Sequence, residues 1–216
     1  MLRALALCLY LPHPAAACDV ALVLAIDISG SIDAGEYAQQ TDGLALALGD
    51  AAVIDAMVQG KVAVSVIQWS GSGMQAVVMD WRRMGNAGDV ADFAAVVQRT
   101  PRAFDASDTA VGEAISFAMQ RFADVADCRR RVIDMSGDGP ENAGFTVSRA
   151  RGEAQKAGIQ VNAIAIEDMG ASAPITAFYR KWAITKGGFV VTARGLQDYG
   201  RAMREKLLRE LSKPMG

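Results

Sequence analysis

Histidine is nearly missing from this chain. The one copy, His13, lies in an apolar N-terminal stretch. From residue 18 onward no imidazole is present to act as a base, which excludes Ser-His-Asp and Cys-His catalysis and His- or Cys-rich zinc sites. No segment approaches about eighteen consecutive apolar residues, so no transmembrane helix is expected. A Gly-x-x-x-x-Gly-Lys-Ser/Thr run is also absent, which removes a nucleotide P-loop. Basic residues form no long run and the formal net charge is -2, so the electrostatic footprint of a nucleic-acid binder is missing. Repeats, low-complexity tracts and linkers do not occur after residue 17. What is present suits one packed domain: 216 residues, 51% apolar and 21% charged.

Residues 1–17 read as a secretory signal rather than as part of a fold. Arg3 supplies a positive start, Ala4 to Leu11 is an unbroken apolar run, Pro12 and Pro14 break it, and Ala15-Ala16-Ala17 forms a small-residue cleavage site. Cleavage there leaves a domain of residues 18–216, exported to the periplasm or secreted. Cys8 leaves with the signal, and Cys18 and Cys128 remain. An even pair in an exported chain suggests a disulfide. Two alternatives stay open. Cys18, at the first mature position, is a point for lipid attachment, although Ala15 stands where such attachment usually wants Leu. Both thiols are otherwise free.

Apolar runs alternate with helical spacing along the rest of the chain. Val20 to Ile26 is continuously apolar, as in a strand covered on both faces. A helix is expected from Tyr37 to Met57, and strands from Lys61 to Trp69 and from Met74 to Trp81. Only Ser70 to Gly73 separates those two strands, too little for a crossover, so they pair antiparallel. Helices are expected over Asp89 to Gln98 and Thr109 to Phe122, then a strand over Arg131 to Ser136. A helix from Thr146 to Ala157 stops at Gly158. The strand Ile159 to Ile166, the helix Pro174 to Lys186, the strand Phe189 to Thr192 and a charged amphipathic helix from Leu196 to Leu211 complete the chain. This alternation implies an α/β fold: a doubly wound, mostly parallel six-stranded sheet with one antiparallel strand and helices on both faces.

Three polar segments fall at or beside strand ends, where open α/β sheets bind ligands. The first is Asp27-Ile28-Ser29-Gly30-Ser31, a carboxylate and two hydroxyls at alternating positions around a glycine that permits a tight turn. Hard oxygen donors of this kind suit Mg²⁺, with Ca²⁺ or Mn²⁺ as alternatives. The second, Asp108 to Ile115, opens a helix, and Asp108 or Thr109 also serves as an ordinary N-cap there. The third, Ser136-Gly137-Asp138-Gly139, follows a strand, and Asp138 also reads as a plain turn residue.

In this chain order the three segments resemble those of the von Willebrand factor A-type domain, and within it a bacterial exported family of unknown function. The resemblance spans roughly residues 19–211. It implies a metal-ion-dependent adhesion site in which Asp27, Ser29 and Ser31 form the first segment, Thr109 in Thr-x-x-Gly-x-Ala-Ile the second, and Asp138 the third. Ser29, Ser31 and Thr109 would coordinate directly in some states, and Asp27 and Asp138 directly or through water. One position stays open for a Glu or Asp of a protein or peptide partner. The chain departs from the family pattern at Asp108, which often is glycine, and at Gly137, which usually is threonine; the second change removes a hydroxyl near the site. The resemblance also implies that the first strand and the strand from Arg131 are parallel neighbours, which puts Cys18 and Cys128 near the same lower edge and makes a bridge reasonable.

The expected function is therefore a metal-dependent binding module, not an enzyme. Two alternatives are a metal-assisted hydrolase with Asp108 as general base, and a structural envelope protein with a vestigial site. Several other residues invite plain readings. Asp134, in a central apolar strand, is expected to pair with a helix residue. Trp69 is expected in the core, Glu141 and Asn142 in a solvated loop, with support of the metal site as their alternative, Arg129 to Arg131 at the lower rim, and the terminal helix as an ordinary solvated surface.

Overall fold

The computed structural model describes residues 18–105, 108–167 and 174–212. Residues 1–17, where the signal is expected, lie outside them. Six strands form one sheet: β1 (Val20–Asp27), β2 (Ala63–Trp69), β3 (Gln75–Arg83), β4 (Arg130–Gly137), β5 (Ile159–Glu167) and β6 (Val190–Arg194). The spatial order is β3-β2-β1-β4-β5-β6. Only β3 runs antiparallel, against β2; the other pairings are parallel. This is the expected doubly wound α/β architecture.

The continuous apolar run of β1 is buried at all eight positions because both faces of the sheet are covered. Val20, Leu22, Leu24 and Ile26 point into a core shared with α1 (Ala34–Leu48), α2 (Ala51–Gln59), α3 (Ala87–Arg99) and α7 (Tyr199–Leu211). Ala21, Val23 and Ala25 point the other way, toward α4 (Val111–Gln120), α5 (Val147–Lys156) and α6 (Ile175–Phe178). Each large aliphatic chain so buried contributes about 1.5–3 kcal/mol.

Three elements differ from expectation. The helix expected over Tyr37 to Met57 is two helices. Gly49 closes α1, and the Asp50 carboxylate accepts from the Ala52 and Val53 amides to open α2; its other oxygen takes a 2.6 Å bond from Arg204 of α7. The helix expected to start at Thr109 starts at Val111. The helix expected over Pro174 to Lys186 is a short α-turn followed by a π-turn over Tyr179–Ala183.

Cys18 and Cys128 form a disulfide. The pairing of β1 with β4 creates it: the Arg129 amide donates to the Cys18 carbonyl and the Arg130 amide to that of Asp19, so both cysteines sit where these strands begin. The bridge closes a sequence separation of 110 residues, and disulfides typically stabilise by roughly 2–4 kcal/mol, more for longer loops. At the same lower edge Arg129 pairs with Asp19, and Arg131 donates to the Ala157 carbonyl.

The terminal helix α7 is not merely a solvated surface. Lys206 and Glu210 are fully buried, and the Lys206 ammonium lies 2.5 Å from both the Asp134 and the Glu210 carboxylates. Asn162 of β5 donates to Glu210 at 2.7 Å. The expected helix partner of Asp134 is thus Lys206.

Candidate metal-binding site

The candidate residues gather at the carboxyl edge of the sheet, where β1 and β4 end. Asp27 is the last residue of β1 and is wholly buried; Ser31, four residues on, is exposed. Between them the chain turns tightly, with the Ser29 amide donating to Asp27 Oδ1 at 2.7 Å and the Ile32 amide to the Ser29 carbonyl at 3.0 Å. The Ser29 and Ser31 hydroxyls stand 3.3 Å apart, and Ser31 donates to Asp138 Oδ1 at 2.6 Å across 107 residues of sequence. Asp27, Ser29, Ser31 and Asp138 therefore converge. Thr109 lies beside the third segment: it is buried, and a side-chain carbon built on Gly139, next to Asp138, would stand 3.8 Å from its hydroxyl.

The loop carrying Thr109 is held by its backbone. The Ala110 amide donates to the Ser70 carbonyl and the Ser70 hydroxyl to that of Asp108. Neither Asp108 nor Thr109 caps α4; Ala110 stands at the cap with no side-chain bond. Glu141 and Asn142 take over: Asn142 stays exposed and Glu141 half-buried, as in a solvated loop, yet both support the site, the alternative the sequence left open. Asn142 Oδ1 accepts from the Thr109 amide at 2.7 Å. Glu141 accepts from the Gly112 amide at 2.9 Å and the Val147 amide at 3.1 Å, placing one carboxylate at the positive ends of both α4 and α5. These helix starts cross so closely that a methyl on Gly112 would stand 2.3 Å from the Val147 nitrogen. The capping role had one sequence signal: an acid and an amide just after Asp138.

Arg102 was not foreseen in the site's support. Its guanidinium donates to the carbonyls of Ile28 at 2.8 Å and Ile32 at 2.7 Å, clamping both ends of the Asp-x-Ser-x-Ser turn. Gln68 of β2 fixes the segment bearing Arg102 by donating to the Pro101 carbonyl and accepting from the Ala103 amide. Trp69 is fully buried beneath the loops, in the core as expected.

Burial pushes the Asp27 carboxyl up to about 7; the Asp138 charge adds to the rise, and bonds from Ser29 oppose it. Burial, followed by the charges of Asp27 and Asp138, raises the Tyr179 phenol well above its ordinary value, so it remains a hydrogen-bond donor at any working pH. Asp27 Oδ2 is buried without a hydrogen-bond partner, an arrangement that favours a proton or a cation against it. Among the described residues no group of three or more His, Cys, Asp or Glu side chains could hold a metal. The donor set here is two carboxylates plus three hydroxyls, oxygen throughout, and it fits a hard divalent cation.

Sheet order and loop placement define a von Willebrand factor A-like α/β domain. A von Willebrand factor type A protein from Catenulispora acidiphila superposes with a TM-score of 0.67 at 18% identity, over 89% of this chain and 43% of that one. Proximal thread matrix protein 1 of the mussel byssus, solved with a zinc-occupied MIDAS motif, gives 0.64 at 14% identity, over 91% and 46%. BatB from Bacteroides thetaiotaomicron gives 0.58 at 19% identity, over 89% and 98%. The chain spans less than half the length of the first two. No curated protein matches the sequence. The profile described as protein of unknown function (DUF1194) matches residues 17–215, and the chain belongs to that family.

Proposed function

We propose that this chain is an exported, divalent-metal-dependent module that binds a protein or peptide through an acidic side chain of the partner. The observation that carries this reading is the convergence of Asp27, Ser29, Ser31 and Asp138 at one sheet edge with Thr109 beside Gly139, grading from the buried Asp27 to the exposed Ser31. These residues would hold the ion by their oxygens, Asp27 and Asp138 directly or through water, and leave it room for one further ligand; a carboxylate suits that place in a partly dehydrated site. Mg²⁺ is our choice, with Ca²⁺ or Mn²⁺ as alternatives; the zinc-occupied site of the mussel protein supports a dication of some kind. The pilus adhesin SpaC from Lactobacillus rhamnosus GG is another fold neighbour, which favours binding over catalysis. Export is favoured by the N-terminal sequence pattern and by the disulfide.

A second feature marks the side the partner meets. Phe145, in the loop that follows Asp138, is 79% exposed and holds φ at +50°. A bulky residue in that backbone region costs of order 1 kcal/mol or more, and such strain gathers at ligand contacts. The loop is tied to the second segment, since the Asn142 and Ala143 amides both donate to the Thr109 carbonyl.

Calorimetric titration with Mg²⁺ and with Mn²⁺ tests the metal site. Wild type should bind, and Asp27→Ala and Asp138→Ala should not; unchanged affinity in both variants defeats the proposal. Pull-down from envelope extract with Mg²⁺ against EDTA then tests the partner, with Phe145→Ser expected to lose capture while keeping the metal. Metal-dependent turnover of phosphate or ester substrates that disappears in Asp108→Ala would make the protein a hydrolase instead.

A further inference from the structure

Gly137 departs from the threonine of the family pattern, and its surroundings give a physical reason. A side-chain carbon built there would stand 2.3 Å from the Tyr179 hydroxyl and 2.8 Å from Asp27 Oδ2. A threonine cannot be accommodated, because the phenol from another element already occupies its place. Both of those oxygens are buried and neither has a hydrogen-bond partner. A phenol hydroxyl that can donate and a carboxylate oxygen that can accept thus border the one small space at Gly137.

The position of Tyr179 is set locally. It is the first residue of the π-turn, where the Ile184 amide reaches back to the Tyr179 carbonyl at 3.1 Å, and such turns recur at functional sites. Phe178 packs edge-on against the ring, with centroids 5.3 Å apart. The ring is wholly buried in the core on the α4, α5 and α6 side of the sheet, so the hydroxyl is delivered on a rigid support.

We propose that Tyr179 is a positioning residue of the metal centre, its hydroxyl standing in for the one Gly137 lacks and donating to Asp27 Oδ2 when a cation is bound. The inference rests on the metal-site reading above. A hydrogen bond to the back of a metal-associated carboxylate fixes its orientation, and removing such a partner typically costs about 10–100-fold in metal affinity.

The test titrates the full-length mature protein with Mn²⁺ alone, in wild type, Tyr179→Phe, Gly137→Ala and the double variant, with melting in EDTA as the folding control. Tyr179→Phe keeps the ring and should weaken Mn²⁺ by about tenfold or more while melting close to wild type. Gly137→Ala should lose a similar factor by displacing the phenol. The double variant should lose no more than the larger single loss, since both changes remove one donor. Tyr179→Phe binding as tightly as wild type, or single losses that multiply in the double variant, overturns the inference while leaving the metal site intact. Wild type that binds no Mn²⁺ overturns both.

Discussion

Asp27 shows how one residue's surroundings set the conditions under which the site works. Its carboxyl is pushed up to about 7 by burial and by Asp138. Without metal it is therefore largely protonated in mild acid, and under the proposed function a cation would have to displace that proton. Metal affinity should fall about tenfold for each pH unit below 7 and level off above it, with close to one proton released per ion at pH 6. Calorimetry in buffers of different ionisation enthalpy measures the proton count, and a flat affinity from pH 5 to 8 would contradict the cause assigned here. The folded value lies above the ordinary 3.8, so the folded chain holds a proton that the unfolded chain has lost. Without metal, Asp27 thus costs stability increasingly as pH rises from about 4 to 7, and fully above that.

At the scale of elements, the site consists of loops whose shape is imposed by contacts outside them. The first turn is clamped by Arg102, itself set by Gln68; the second is tied to Ser70 and Asn142; the third shares Glu141 with two helix starts. Arg102→Met preserves much of the packing but removes the donors that hold the Ile28 and Ile32 carbonyls. It should weaken metal binding by about tenfold and speed amide exchange across residues 28–32. Unchanged exchange there would show that the turn keeps its shape unaided. The positions of these three loops were legible from the alternation of strands and helices, because each follows or adjoins an apolar run. Glu141 was legible as a possible support from its place just after Asp138, whereas Arg102 and Tyr179 were not, since each acts on a segment far away in sequence.

Across the whole molecule, the terminal helix is fastened to the sheet by a buried charge cluster as well as by apolar packing. Lys206 sits between Asp134 and Glu210. Burial, and next the Glu210 charge, raise the Asp134 carboxyl, against the pull of Lys206. Lys206→Met would leave two carboxylates buried without their cation, at a cost of roughly 3–5 kcal/mol. Protonation of Asp134, whose carboxyl is raised by burial, relieves part of that cost, so the loss should be larger at pH 8 than at pH 5, as read from urea unfolding in EDTA. A loss independent of pH would mean the ammonium acts only by packing. Sequence reading placed Asp134 against a helix residue, and the structure names the helix.

The linear chain by itself determined the layering, the strand count, the antiparallel pair and the chain order of the polar segments. It did so because apolar periodicity and turn residues act over a few neighbours and specify which face of each element is buried. The disulfide was foreseen from an even cysteine pair in an exported chain and from the implied adjacency of two strands, and the pairing of β1 with β4 produces it. Tertiary structure alone decided which atoms meet at the sheet edge. It brought Ser31 against Asp138, set a tyrosine beside the glycine that makes room for it, and buried Lys206 between two acids. Such contacts depend on where whole elements pack, and residues a hundred positions apart carry no local sign that they will touch.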